Sequence, residues 1–321
     1  MRFNGSKIEY NDICPSFPNS YELSRVLCKN GVSEKDVYIA GGYIREIEHI
    51  QNVINKTTIF VKSSRAKVKF FSTLIDNRDI KDIDVFFKSK KAFYTTVNNL
   101  LTLKDEDVIP DTETSLKYCN YFNIKSARLD YISSNCLSFT LYTRTFVNDK
   151  GLSNVDFSYT DKQYKIQLIN HSYYNDIHQL LNSFDFTVNQ MGDTLSNLKR
   201  GKVSASISSL GDVKHKKLVL TKNTIFPVSV LWRIQKFKDR GYKMKGTEYF
   251  KLVTRLLSKY SDKTTKLRDF IEDFRGIDTV EYEEIFNVLS DTDLAEKELS
   301  PESMLEFLDQ MEMLDTIKKE L

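Results

Sequence analysis

The feature that most restricts how this chain can fold is the stretch "VYIAGGYIRE", Val37 to Glu46, taken together with "KDIDVFF", Lys81 to Phe87. Val37 to Ala40 are strand formers, and the two glycines after them permit a tight reversal that a Cβ would hinder. From about Tyr43 the residues suit a helix, so the segment reads strand, turn, helix. In "KDIDVFF" strand alternation sends Asp82 and Asp84 to one face while Ile83 and Val85 point to the opposite, buried side. A half-polar strand accompanying a strand-turn-helix unit belongs to a layered α/β or α+β domain.

The same pattern continues over the first 190 or so residues. Strands are expected at Val37–Ala40, Ile83–Phe87, Ala127–Ile132, Leu137–Tyr142 and Tyr164–Ile169, with a short one around Phe184–Val188. Helices are expected from about Tyr43 to Ile54 and near Ala92–Leu103. A basic, polar segment from about Lys199 to Asn223 follows, and the pattern then turns helical. Pro227 opens "PVSVLWRIQKFKDRG", with Gly241 as its stop. Thr247 is expected to cap "TEYFKLVTRLLSKY", whose Phe250, Val253, Leu257 and Tyr260 fall at helical spacing. Ser300 and Pro301 start a last helix with Met304, Leu308, Met311 and Leu314 on one face. At 321 residues, two domains are expected. They are a mixed-sheet α+β domain over 1–195, carrying an insertion over 50–78, and a basic neck with an all-helical C-terminal domain over 196–321.

No apolar run approaches the roughly 20 residues that span a bilayer, and the N-terminus has no apolar core ahead of a small-residue cleavage site. No membrane partner is expected, and the location expected is cytoplasmic. Cys14, Cys28, Cys119 and Cys136, like His49, His171, His178 and His215, are scattered without the spacing of a zinc site. The net charge of +3 conceals an asymmetry. Thirteen Lys or Arg stand against Asp212 and Asp239 between Lys199 and Lys245, whereas 17 acids face four bases from Asp269 onward. A stretch this basic suits a polyanion, because neutralised phosphates release counterions. A solvated face balanced by the acidic tail has the same composition.

Two carboxylates on one strand face repel each other, and a hard divalent cation is the usual reason to place them so. Mg²⁺ takes one or two carboxylates, completes its shell with substrate phosphates and water, and stabilises charge on a phosphoryl group in transfer. Asp82 and Asp84 are therefore candidate metal ligands and catalytic residues, although D-x-D also occurs as decoration of a strand edge. At Gly41 and Gly42 no Cβ obstructs an approaching anion. The following helix offers its positive end, and Arg45, one turn in, can add its planar fork. A plain strand-turn-helix corner reads the same.

Together, the glycines after one strand and D-x-D on the next resemble the polymerase-β-like nucleotidyltransferases. Within that superfamily they look like the class II tRNA nucleotidyltransferases (CCA-adding enzymes) and bacterial poly(A) polymerases, whose opening motif runs Gly-Gly, two residues, Arg, and later Asp-x-Asp. Virus-encoded relatives of unassigned role have similar sequences. "SFDFTVNQMG", Ser183 to Gly192, is similar to the family's Arg-Arg-Asp-Phe-Thr-x-Asn-Ala motif and keeps Asp185, Phe186, Thr187 and Asn189. "GDVKHKKLVLTKN" resembles the Asp-Leu-Lys segment, and "FPVSVLWRIQKFKDRGY" the neck helix. The arginine pair is replaced by Ser183 and Phe184. The base-selecting Glu-Asp-x-x-Arg is not found, since "EDFR", Glu272 to Arg275, is one residue short. At the place of a third metal carboxylate "YKIQLI" offers Gln167, with Asp130 as another candidate.

The resemblance implies a nucleotidyltransferase palm and a Mg²⁺-dependent, template-independent transfer of NMP from an NTP to an acceptor hydroxyl, with release of pyrophosphate. ATP is the expected NTP and an RNA 3′ end, of tRNA or mRNA, the expected acceptor. Asp82 and Asp84 would bind two metals. Gly41, Gly42 and Arg45 would hold the triphosphate, Asp185 would orient the ribose, and Asn189 of the same motif would also bind the nucleotide. Arg233, Lys236 and Arg240, on one face of the neck helix, would grip phosphate or RNA, unless they form a solvated basic face. Trp232, Phe237 and Tyr242 could stack on a base or fill the helix core. Other readings are transfer to a protein or small molecule, as in toxin-like members, and a scaffold on a catalytically retired fold. For a viral chain, the compartment implied is the host cytoplasm.

Overall fold

The computed structural model describes residues 5–9, 20–46, 82–103, 120–133, 135–148, 157–222 and 227–259. The chain divides into two compact units, Met1–His215 and Lys216–Leu321. The first contains strands β1 (Gly5–Glu9), β2 (Val37–Ala40), β3 (Asp82–Phe87), β4 (Asn120–Ile132), β5 (Cys136–Asn148), β6 (Phe157–Tyr173), β7 (Met191–Thr194) and β8 (Lys202–Ser206). They form one mixed sheet in the order β1-β8-β7-β2-β3-β6-β5-β4, parallel at β3–β6 and antiparallel elsewhere. The α+β class follows directly. Among the described residues no helix is long and apolar enough to cross a membrane.

The register explains the alternation read in "KDIDVFF". Ile83 pairs with Ile166, which pairs with Phe139, and Val85 pairs with Leu168; all five are buried. On the opposite face Asp82 pairs with Lys165 and Thr140 follows, while Asp84 pairs with Gln167 and Ser138 follows. β2 lies between β3 and β7 and is buried along its whole length, as its unbroken apolar run requires. Its Ala40 meets Gly192 of β7. A Cβ there would lie 2.4 Å from the Ala40 Cβ and 2.6 Å from the Ile39 carbonyl oxygen, so this pairing needs glycine. The helix Lys90–Leu101 starts at Ser89, whose hydroxyl accepts from the Ala92 amide, and Phe93 packs edge-on against Phe87.

Two expectations are corrected in this unit. The apolar alternation of Phe184, Phe186 and Val188 does not make a strand. It follows a helix, Ile177–Ser183, and enters a 3₁₀ turn, Thr187–Asn189, that sends Phe186 and Val188 into the core. The polar alternates are bonded sideways, Thr187 Oγ1 donating to Asp212 Oδ2 at 2.7 Å. The basic, polar segment after Lys199 contains regular structure. It supplies β8, which pairs with β7 and β1, and a helix, Ile207–Lys214, capped by Ser206. The boundary expected at 195/196 therefore falls inside the sheet, and the first unit runs on to His215. The insertion over 50–78 lies outside the described residues.

In the second unit the helix Pro227–Asp239 ends as Gly241 implies. Gly241, at φ +80°, donates its amide to Lys238, and Tyr242 donates to Phe237, while the Phe237 and Tyr242 rings pack edge-on at 5.3 Å. This left-handed glycine stop turns the chain back on itself. It allows β10 (Lys243–Met244) to pair in parallel with β9 (Lys217–Leu218), a ribbon that an all-helical expectation omits. The next helix, Gly246–Lys259, begins ahead of Thr247, with Lys245 O accepting from Glu248 and Tyr249, so Thr247 lies in the first turn rather than at the cap. Its buried row is Glu248 and Leu252, whereas Phe250 is 74% and Val253 48% exposed. Glu248 is held there by the Leu220 amide and Lys251. The helix expected from Ser300 and the segment Glu272 to Arg275 lie outside the described residues.

Candidate active site

β2 ends at Gly41, whose φ of +85° lies in the region that favours glycine, and residues 42–46 are helical, opened by the Arg45 amide donating to Gly41 O. A Cβ on Gly41 would lie 3.6 Å from Asp84 Oδ2 and 3.2 Å from the Phe184 ring. The second carboxylate of D-x-D thus sits against the glycine turn. Asp82, two residues earlier on β3, shares that face, and both are half-buried. Gln167, opposite Asp84 on β6, is buried; Lys165 stands opposite Asp82.

The other groups at the turn are engaged within the fold. The Gly41 amide donates to Met191 O on β7 at 2.9 Å, so the amides that a helix leaves without intrahelical partners begin at Gly42. Arg45 is only 2% exposed. Its Nη1 donates to Asn189 Oδ1 at 2.6 Å, and Nε and Nη2 both donate to Glu46 Oε1 at 3.2 and 3.1 Å. Arg45 thereby ties the helix after the glycines to the 3₁₀ turn of "SFDFTVN". In this structure the Arg45 fork, expected at a triphosphate, is turned inward to Asn189 and Glu46. Asp185 is buried just ahead of that turn.

A family model described as "Gabija anti-defense 2 family protein" matches residues 16–199, more than half of the chain and all of the elements just named. The chain belongs to this family. A relative named "Gabija anti-defense 2", from Bacillus phage SPbetaL7, is 23% identical over 222 residues, 69% of this chain and 44% of the phage protein. The chain therefore matches less than half the length of that relative. Among solved structures, a CCA-adding enzyme in apo form I aligns with 88% of this chain and 55% of its own, at 13% identity and a TM-score of 0.42. The Thermotoga maritima CCA-adding enzyme complexed with tRNA-CCA aligns with 90% and 56%, at 14% identity and a TM-score of 0.38.

Within the first unit, Asp130 lies apart from this turn. Asp130 is on edge strand β4, where it accepts from Arg128 Nε at 2.8 Å and Thr140 Oγ1 at 2.5 Å. Partial burial pushes its carboxyl up, but those two donors outweigh it and hold it below the ordinary value. Asp130 serves that local pair, with two strands between β4 and the D-x-D strand. Arg233 and Lys236 lie on the helix Pro227–Asp239 of the second unit and are half-buried, and Arg240 follows, exposed. Phe237 and Tyr242 are buried against each other and act as core.

Sequence reasoning missed Phe184 as a neighbour of the site. Its ring covers Gly41 and packs edge-on against Phe86 at 5.8 Å. The available signal was the place itself, an aromatic where the resemblance leads one to expect arginine. Asp82 and Asp84, with the Gln167 amide as a neutral neighbour, form an oxygen-rich patch on one sheet face, a donor set that fits a hard divalent ion. Among the described residues no cluster of three or more His, Cys, Asp or Glu could hold a metal.

Proposed function

We propose that this member of the Gabija anti-defense 2 family is a metal-dependent nucleotidyltransferase through which a phage counters Gabija. It would transfer NMP from an NTP, ATP first among them, to an RNA 3′ hydroxyl. The observation that carries the reading is the Asp84 carboxylate lying 3.6 Å from the place of the missing Gly41 Cβ, with Asp82 on the same face.

Asp82 and Asp84 would hold Mg²⁺, which when bound neutralises charge on the phosphates. The helix amides from Gly42 onward face the triphosphate, and Arg45 with Asn189 keeps the turn in place rather than touching substrate. The acceptor oxygen forms a bond to the α-phosphorus as the bond to the β-phosphate bridge breaks. Pyrophosphate leaves, and the acceptor proton passes to the Asp84 carboxylate and on to water. Asp185 would orient the ribose.

Incubation with labelled NTPs and a mixed pool of RNA and protein tests this. A ladder of lengthened RNA, lost in D82A/D84A, is the expected result; label on protein or on a small molecule would move the acceptor to that class. A second reading, a binding module on a catalytically retired fold, is favoured by one observation: the Gly41 amide and the Arg45 fork are both spent internally. It predicts no transfer and no Mg²⁺-dependent NTP binding by calorimetry.

A further inference from the structure

The ribbon of the second unit carries a dense cationic patch. β9 and β10 pair in the register Lys217 with Lys243, which places two exposed lysines side by side, an arrangement that costs stability by repulsion. Lys216 precedes this pair in a left-handed conformation, φ +52°, which is uncommon for a residue with a long side chain. Its Nζ lies 4.4 Å from the centre of the Tyr242 ring, and its carbonyl accepts from the Lys243 amide at 2.8 Å. Along the chain, exposed Lys238 in the last turn of the preceding helix and exposed Arg240 just after it lead into β10, and exposed Lys245 follows it.

Among the described residues no ion pair joins Lys217, Lys243, Lys245 or Arg240 to an acid. The one acid in this stretch of chain, Asp239, accepts from Gln235. The backbone is committed to holding these charges together: the ribbon hydrogen bonds and the two left-handed turns set the spacing, and the buried Tyr242–Phe237 contact anchors it.

We propose that this ribbon is a docking surface for a polynucleotide backbone, centred on Lys217 and Lys243. A polynucleotide carries a charge on every nucleotide, whereas an extended acidic peptide presents only every second side chain on one face. One-signed, closely spaced lysines suit the former. The choice of RNA as the probe rests on the functional reading above, while the site itself is built wholly within the second unit and needs no catalysis.

The test is binding of the full chain to a fluorescein-labelled single-stranded RNA of mixed sequence, by anisotropy across a salt series. K217A/K243A should weaken binding by about tenfold or more at low salt and flatten the slope of log K against log salt by about 1.4, two lysines at ~0.7 each. K217R/K243R should restore both, and circular dichroism should match in all three. Equal binding by K217A/K243A overturns the proposal, as does polyglutamate displacing the RNA as well as unlabelled RNA does, which would make the surface one for acidic proteins. RNA binding that depends on the lysines, without nucleotidyl transfer, would sink the functional reading alone. Transfer with lysine-independent binding would sink this one alone.

Discussion

Asp82 with Asp84, and Arg45 with Asn189, come from the motifs that resemble one enzyme family, yet they stand in opposite conditions. Arg45 is enclosed and its donors are spent on Asn189 and Glu46; the two aspartates lie half-buried on a polar sheet face beside a glycine turn. The buried set holds the corner together, whereas the two carboxylates lie at a half-buried face beside the turn. A motif residue is therefore assigned to structure or to chemistry by where its polar atoms point.

The sharpest way to break this comparison is D82A/D84A. Losing several kcal/mol of transition-state charge stabilisation should lower nucleotidyl transfer by about 10³-fold or more, with the melting temperature little changed. Transfer that survives in this variant would return the aspartates to surface decoration. Gly192→Ala should have the largest effect on stability, because the new Cβ would overlap Ala40 and the Ile39 carbonyl. About 3 kcal/mol, read from urea melts, is expected of such overpacking between backbones.

Arg45→Met comes next. It leaves Asn189 and Glu46 without their donor, a loss of about 2 kcal/mol, discounted because Glu46 is partly exposed. If Arg45 is only a strut, KM for NTP in the folded variant stays near that of the parent chain. A large rise in KM with unchanged stability would restore the triphosphate role that its burial argues against.

The smallest effect concerns Glu22, in the first turn of the helix Ser20–Leu27. Burial pushes its carboxyl up to about 7 from 4.5, against the opposing pull of its backbone hydrogen bond, Arg25 and Lys199. Between those values the folded chain binds the extra proton, so this group makes stability fall as pH rises from 4.5 to 7. Glu22→Gln should be the more stable protein at pH 8 and lose that slope, which thermal melts across the pH series would read.

Much of the site was legible because it depends on local rules. The face shared by Asp82 and Asp84 follows from strand alternation, and the turn at Gly41 and the stop at Gly241 follow from a missing Cβ. The strand expected at Phe184–Val188 failed because apolar alternation fits equally a 3₁₀ turn whose alternate side chains enter the core. The basic segment after Lys199 hid β8 for a similar reason: "KVSAS" is too short and too rich in serine to declare a strand until β7 and β1 flank it.

By itself, then, the sequence determined which residues could share a face, where the backbone could reverse, and that a dense run of cations separates a sheet-forming half from an acidic end. Only the tertiary structure decided that Arg45 turns inward to Asn189, which is 144 residues away, that Phe184 covers Gly41, and that Lys217 stands beside Lys243. The reason is physical. Alternation and backbone conformation are set by neighbours along the chain, whereas the partner of a buried donor and the spacing of charges across strands depend on which distant segments the core brings together.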